Sequence, residues 1–219
     1  MNTDGIRCMN LPAGLPVGVF SDYFDKLRRI FADMDRQYSQ AAAHYGFQCR
    51  GCEDNCCLTH FYHHTYLEFM LIRQGFSGLD DADRSRIRTT AEAVCSQVAQ
   101  ARNNDTAVRV MCPLNDAGMC SLYAFRPMIC RLHGIPHELQ KPGRAVVYGP
   151  GCEAFDERCS GRPYFKFDRT PFYFAMAGLE KEFKQAAGLR GALKLTVAEI
   201  IISIAQSAKG IAEMPGDKG

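Results

Sequence analysis

Apolar residues recur at three- and four-residue steps from Phe20 through Tyr23, Phe24, Leu27, Ile30, Phe31, Met34 and Tyr38. That spacing lays a single stripe along a helix, since about 3.6 residues complete a turn. Ser21 is a suitable N-cap and Gly46 a suitable stop, which predicts a helix over about residues 20–45. A shorter periodic run, with Tyr66, Leu67, Phe69, Met70 and Leu71, predicts a second helix over about 65–74, closed by Gly75. Ile87, Ala91, Val94, Val98 and Ala101 share one face of a third, over about 81–103. Two more close the chain, within about 170–208. The first opens on Thr170-Pro171 and carries Phe172, Met176, Leu179 and Phe183 on one stripe. The second opens on Thr196 and Glu199 in capping-box spacing and buries Val197, Ile200, Ile201 and Ile204.

The helical period is lost in the middle of the chain. Val108, Val110 and Met111 alternate as a short strand would, and Ala145–Tyr148 form a second strand candidate between Pro142-Gly143 and Gly149-Pro150-Gly151. The turn-rich stretch CPLNDAGMCSLY lies between them, and FRPMICRL reads as one or two helical turns. There is no internal repeat and no linker long enough to divide the chain. The expectation is a single, mainly α domain over residues 1–219 with a small β element. A loop-rich cysteine insert over about 47–161 is framed by the helices at 20–45 and 170–208.

Composition changes the picture at one residue type. The 219 residues include 11 cysteines, although 47% hydrophobic residues give core enough without covalent staples. No basic region followed by an apolar run opens the chain, and no stretch of about 18 apolar residues occurs, so a cytoplasmic address and no membrane span are expected. In a reducing compartment, clustered thiols are metal ligands or redox groups rather than structural disulfides. The net charge of +2, with no polybasic run, argues against a nucleic-acid partner.

Cys95 lies beside Val94 on an apolar helix face and reads as a core thiol, and Cys8 lies in an N-terminal arm. Almost all of the other nine sit next to turn formers. Cys49 and Cys52 have the two-residue spacing that lets both thiolates face one metal. Cys56 and Cys57 are adjacent, and in extended backbone adjacent side chains diverge, so they serve two metals, or different atoms of one polynuclear centre, or one of them is a spectator. Cys112 and Cys120 flank the turn at Asn115–Gly118, and Cys130, Cys152 and Cys159 follow. Arg126 and Arg131 bracket Cys130 and are candidates to offset thiolate charge, the alternative being two solvated surface groups. His60 and His64 stand at helical i,i+4 spacing, either as the polar start of a helix or near sulfur. No cysteine–histidine pair is singled out for nucleophilic catalysis, and the strand a thioredoxin-like pair needs before Cys49 is missing. Zinc and iron both accept four thiolates.

The run Cys49, Cys52, Cys56, Cys57, then Cys112, Cys120, Tyr123, Arg126, Pro127, Cys130, Arg131, then Cys152 resembles the YkgJ-type CxxCxxCC family of zinc- or iron-chelating proteins. The pattern spans about residues 47–153, with one extra residue before the adjacent pair, and leaves Cys159 outside. The resemblance implies that Cys49, Cys52, Cys56, Cys57, Cys112, Cys120, Cys130 and Cys152 chelate metal. Sequential cysteines and the cysteine–proline step slightly favour an iron–sulfur centre over zinc, with a redox or electron-transfer role and a redox protein partner. The alternative is a zinc-stabilised binding module without catalysis. An iron–sulfur oxidoreductase is one form the first reading can take, but no substrate site is identifiable.

Overall fold

The computed structural model describes residues 21–48, 56–159 and 161–212, and Cys8, Cys49 and Cys52 lie outside them. The fold is mainly α. Its long helices are α1 (Ser21–Tyr45), α2 (Tyr66–Ser77), α3 (Asp81–Asn103), α6 (Thr170–Ala186) and α7 (Val197–Ala212), with two short ones between, α4 (Met128–Leu132) and α5 (Glu153–Cys159). No described helix is long and apolar enough to cross a membrane.

Helix α2 is the hub, touching α1, α6 and α7. Its burial on nearly all sides follows from that position, with Tyr66, Leu67, Phe69, Leu71, Ile72 and Phe76 all in the core. Helix α1 turns Leu27, Phe31 and Met34 toward α4 and α6, and α3 packs along α7. Helix starts are bonded as the residue types demand. At α7, Thr196 N–H donates to Glu199 Oε2 at 2.7 Å while Glu199 N–H donates to Thr196 Oγ1 at 3.3 Å. At α2, Glu68 N–H donates to the Thr65 hydroxyl, and Glu180 of α6 accepts from the N–H groups of Tyr66 and Leu67.

Gly75 does not close α2, which continues to Ser77 with Gly78 as its C-cap. Its lack of a side chain serves a different purpose: a Cβ there would stand 2.6 Å from Phe125 Cγ, so the glycine lets the segment at Tyr123–Phe125 lie against the helix.

The small β content is two antiparallel hairpins, β1 (Asn115–Asp116) with β2 (Met119–Cys120), and β3 (His137–Gln140) with β4 (Val146–Gly149). The strand expected over Val108–Met111 does not form. Its backbone finds no ladder among the described residues, and only Cys112 N–H reaches across, to Cys57 O at 2.8 Å. The strand near Ala145 does form, and its partner is the unexpected β3. That segment is extended because Glu138 N–H donates to Phe167 O and Arg169 N–H donates to Glu138 O. Both bonds bridge distant sequence, so no local pattern announces them.

Candidate metal centre

Among the described residues, the segments that carry Cys57, Cys112, Cys120, Cys130 and Cys152 meet at one cavity. Cys112 and Cys120 are brought together by the β1–β2 hairpin, whose loop residues Ala117 and Gly118 both have positive φ, as the tight type I′ turn requires. Asn115 Oδ1 accepts from Gly118 N–H at 3.1 Å and holds that loop. Cys57 arrives on a 3-10 turn over Cys56–Leu58. The adjacent pair is therefore in helical rather than extended backbone.

Cys130 sits in the middle of α4, which is pinned at both ends and on one side. Glu68, a buried carboxylate of α2, accepts from Met128 N–H at 2.8 Å at its start. Arg169 is 3% exposed and donates to the carbonyls of Leu132 and Ile135 at its end, where a cation suits the helix dipole. Arg131 reaches α1, donating from Nη1 to Asp35 Oδ2 at 2.6 Å. Cys152 precedes α5, and its N–H donates to Gly134 O just beyond α4. Gly134 has φ +107°, and a Cβ there would lie 3.8 Å from Cys152 Sγ.

Cys57, Cys112, Cys120, Cys130 and Cys152 all line one cavity of about 540 Å³. The first four interact electrostatically with one another. Burial, first, pushes the Cys112 thiol up to about 12 and the Cys130 thiol well above its ordinary range, and neighbouring thiols add to both. Cys120 is also raised by burial. Two backbone donors pull the other way: Leu114 N–H donates to the Cys112 sulfur and Leu122 N–H to the Cys120 sulfur. N–H groups two residues on from a thiol are what a metal-bound sulfur uses to spread its charge. Among the described residues, no three His, Cys, Asp or Glu side chains stand close enough as placed to hold one ion. The donor set nonetheless fits a thiophilic metal in kind: four neighbouring thiols, two with N–H donors.

The two arginines divide. Arg126 adds its positive charge beside Cys120, favouring the thiolate. Arg131 lines the same cavity, but each of its nitrogens has a partner, in Asp35 or the carbonyls of Ala124 and Arg126. Its guanidinium ties α4 to α1. The i,i+4 pairing of His60 and His64 does not arise, because residues 59–65 are not helical. His64 turns to Leu193 O, while His60 lines the cavity and its ring meets Arg102. His63 is the histidine that sequence spacing passed over. It pairs its backbone with Leu195, lines the cavity and is 3% exposed. Cys95 packs against the core on α3 and Cys159, the last residue of α5, is buried; neither lines the cavity. Glu68 had one legible signal, the Thr65-x-x-Glu68 box, but its bond to Met128 had none.

No family model matches the chain, and no curated protein or solved structure matches it.

Proposed function

We propose that this chain is a metal-binding cysteine-cluster protein, with an iron–sulfur centre in a redox or electron-transfer role. The observation that carries the reading is the convergence of Cys57, Cys112, Cys120 and Cys130, from three separate segments, on one cavity wall where each feels the others' charge. Burial raises the thiols of Cys112, Cys120 and Cys130 and so favours their neutral form, against the pull of Arg126 on Cys120. A bound cation inverts that balance and makes each of them a thiolate ligand.

Cys57, Cys112, Cys120 and Cys130 would hold the centre with Cys152 beside them, joined by Cys49, Cys52 and Cys56. An iron–sulfur centre supplies one-electron transfer there. The protein's own part is to set the surroundings. The Leu114 and Leu122 N–H groups and the Arg126 guanidinium offset thiolate charge, and Glu68 and Arg169 hold Cys130 in place through the two ends of α4.

Anaerobic purification followed by iron, zinc and acid-labile sulfide analysis tests this. The expected protein is brown, contains iron with sulfide, and bleaches with dithionite. Cys112→Ser, Cys120→Ser and Cys130→Ser are expected to lose metal, while Cys95→Ser and Cys159→Ser keep it. A colourless protein with stoichiometric zinc overturns the redox reading in favour of a zinc-stabilised module, and a metal-free folded protein overturns both.

A further inference from the structure

The cavity beside the thiols is larger than a metal site needs. Its volume of about 540 Å³ falls in the range of small-molecule pockets, roughly 300–1,000 Å³. Much of the wall is apolar, with Phe61, Val94, Met119, Phe125 and Val197 among its residues. Its charges are unbalanced. Asp35 is the single carboxylate on the wall among the described residues, and it is taken by Arg131 at 2.6 Å. Arg126 and Arg158 also line the cavity and have no carboxylate partner among the described residues. Arg126 is held in place rather than loose: its Nε donates to Tyr123 O at 3.1 Å and its guanidinium lies 3.6 Å from the Tyr123 ring centroid. Stacked in this way, a guanidinium keeps its remaining N–H groups directed outward as a fork. His63 also lines the cavity and is buried.

We infer that this cavity binds a small organic carboxylate with an apolar body, its carboxylate drawn by the two lining cations that lack an acidic partner, Arg126 and Arg158, and its apolar part against Phe61 and Phe125. A guanidinium matches a carboxylate through paired N–H···O bonds, and Arg126 and Arg158 are the lining cations without an acidic partner among the described residues. An apolar body is required because the rest of the wall could not satisfy a polar one. The inference rests on the cavity and its charges and deepens the reading of the thiol cluster as a reaction centre by supplying the class of molecule that would sit beside it.

The test is isothermal titration of the full-length, as-purified protein with benzoate, phenylacetate and hexanoate at millimolar concentration, with the matching neutral amides and inorganic phosphate alongside. Metal content is measured on every sample. The expected result is that at least one carboxylate binds, that its amide binds about tenfold more weakly or not at all, and that Arg126→Gln with Arg158→Gln loses about tenfold or more in affinity. Binding of no carboxylate, equal binding of acid and amide, or phosphate bound as well as any carboxylate overturns the inference. So does an arginine variant that loses metal while keeping carboxylate affinity, because the two cations then serve the thiolates instead. Arginine-dependent binding by a protein without metal upholds this inference while the metal reading falls. Metal without carboxylate binding does the reverse.

Discussion

Gly75 and Gly178 are both glycines inside long helices, α2 and α6, and replacing each by alanine separates two effects that usually arrive together. In either helix alanine gains about 1 kcal/mol over glycine from backbone entropy. At Gly178 an added Cβ meets nothing within 4 Å, so that gain stands alone. At Gly75 the same atom would stand 2.6 Å from Cγ, 2.7 Å from Cδ2 and 3.1 Å from Cβ of Phe125. Those are root atoms of the side chain, which cannot swing clear without moving the backbone at Tyr123–Phe125. Overpacking of this kind costs about 1–3 kcal/mol. Gly75→Ala is therefore expected to lose about 0–2 kcal/mol net, while Gly178→Ala gains about 1. For a chain of this length 1 kcal/mol moves Tm by about 2–4 °C, which puts the two variants roughly 2–12 °C apart in a thermal melt. Phe125→Ala should abolish most of that gap, since the clash has no second partner within 3.1 Å. A Gly75→Ala protein as stable as Gly178→Ala would refute the reasoning, by showing that the Tyr123–Phe125 segment is not held against α2.

Two further outcomes follow from buried polar groups. Glu180→Ala strands the N–H groups of Tyr66 and Leu67, now bonded at 2.9 and 3.2 Å, and is expected to cost about 1–3 kcal/mol in urea unfolding, with Glu180→Gln losing less; equal loss from both would point to packing rather than hydrogen bonding. Burial lowers His63 and His133 below the usual 6.5 and takes His137 down to about 4. A base whose folded value is depressed contributes stability that is complete above the unfolded value and lost as pH falls through the folded one. Tm should therefore fall from about pH 6.5 toward pH 4, with a shallower slope in His137→Gln; identical slopes in the two proteins would rule His137 out.

How much of this was legible in the sequence depends on how far each signal reaches along the chain. The helices were, because a stripe at 3.6-residue period, the Thr196–Glu199 box and the Thr170-Pro171 start are all made within a few residues of themselves. So was the Cys112–Cys120 pair, joined by the turn at Ala117-Gly118. What the sequence could not order was everything held by contact across distant segments. Val108–Met111 has the alternation of a strand but no partner, and His137–Gln140 has little alternation but gains one through Phe167 and Arg169. Spacing suggested His60 and His64, while the backbone bond of His63 to Leu195 places a different ring at the cavity. Arg126 and Arg131 look equivalent on either side of Cys130, and only the position of Asp35 on α1 takes one of them away from sulfur. Local backbone preference and hydrophobic period are properties of short windows. A buried charge or an extended edge is settled by whichever distant group satisfies its hydrogen bonds, and that partner exists only once the chain has folded.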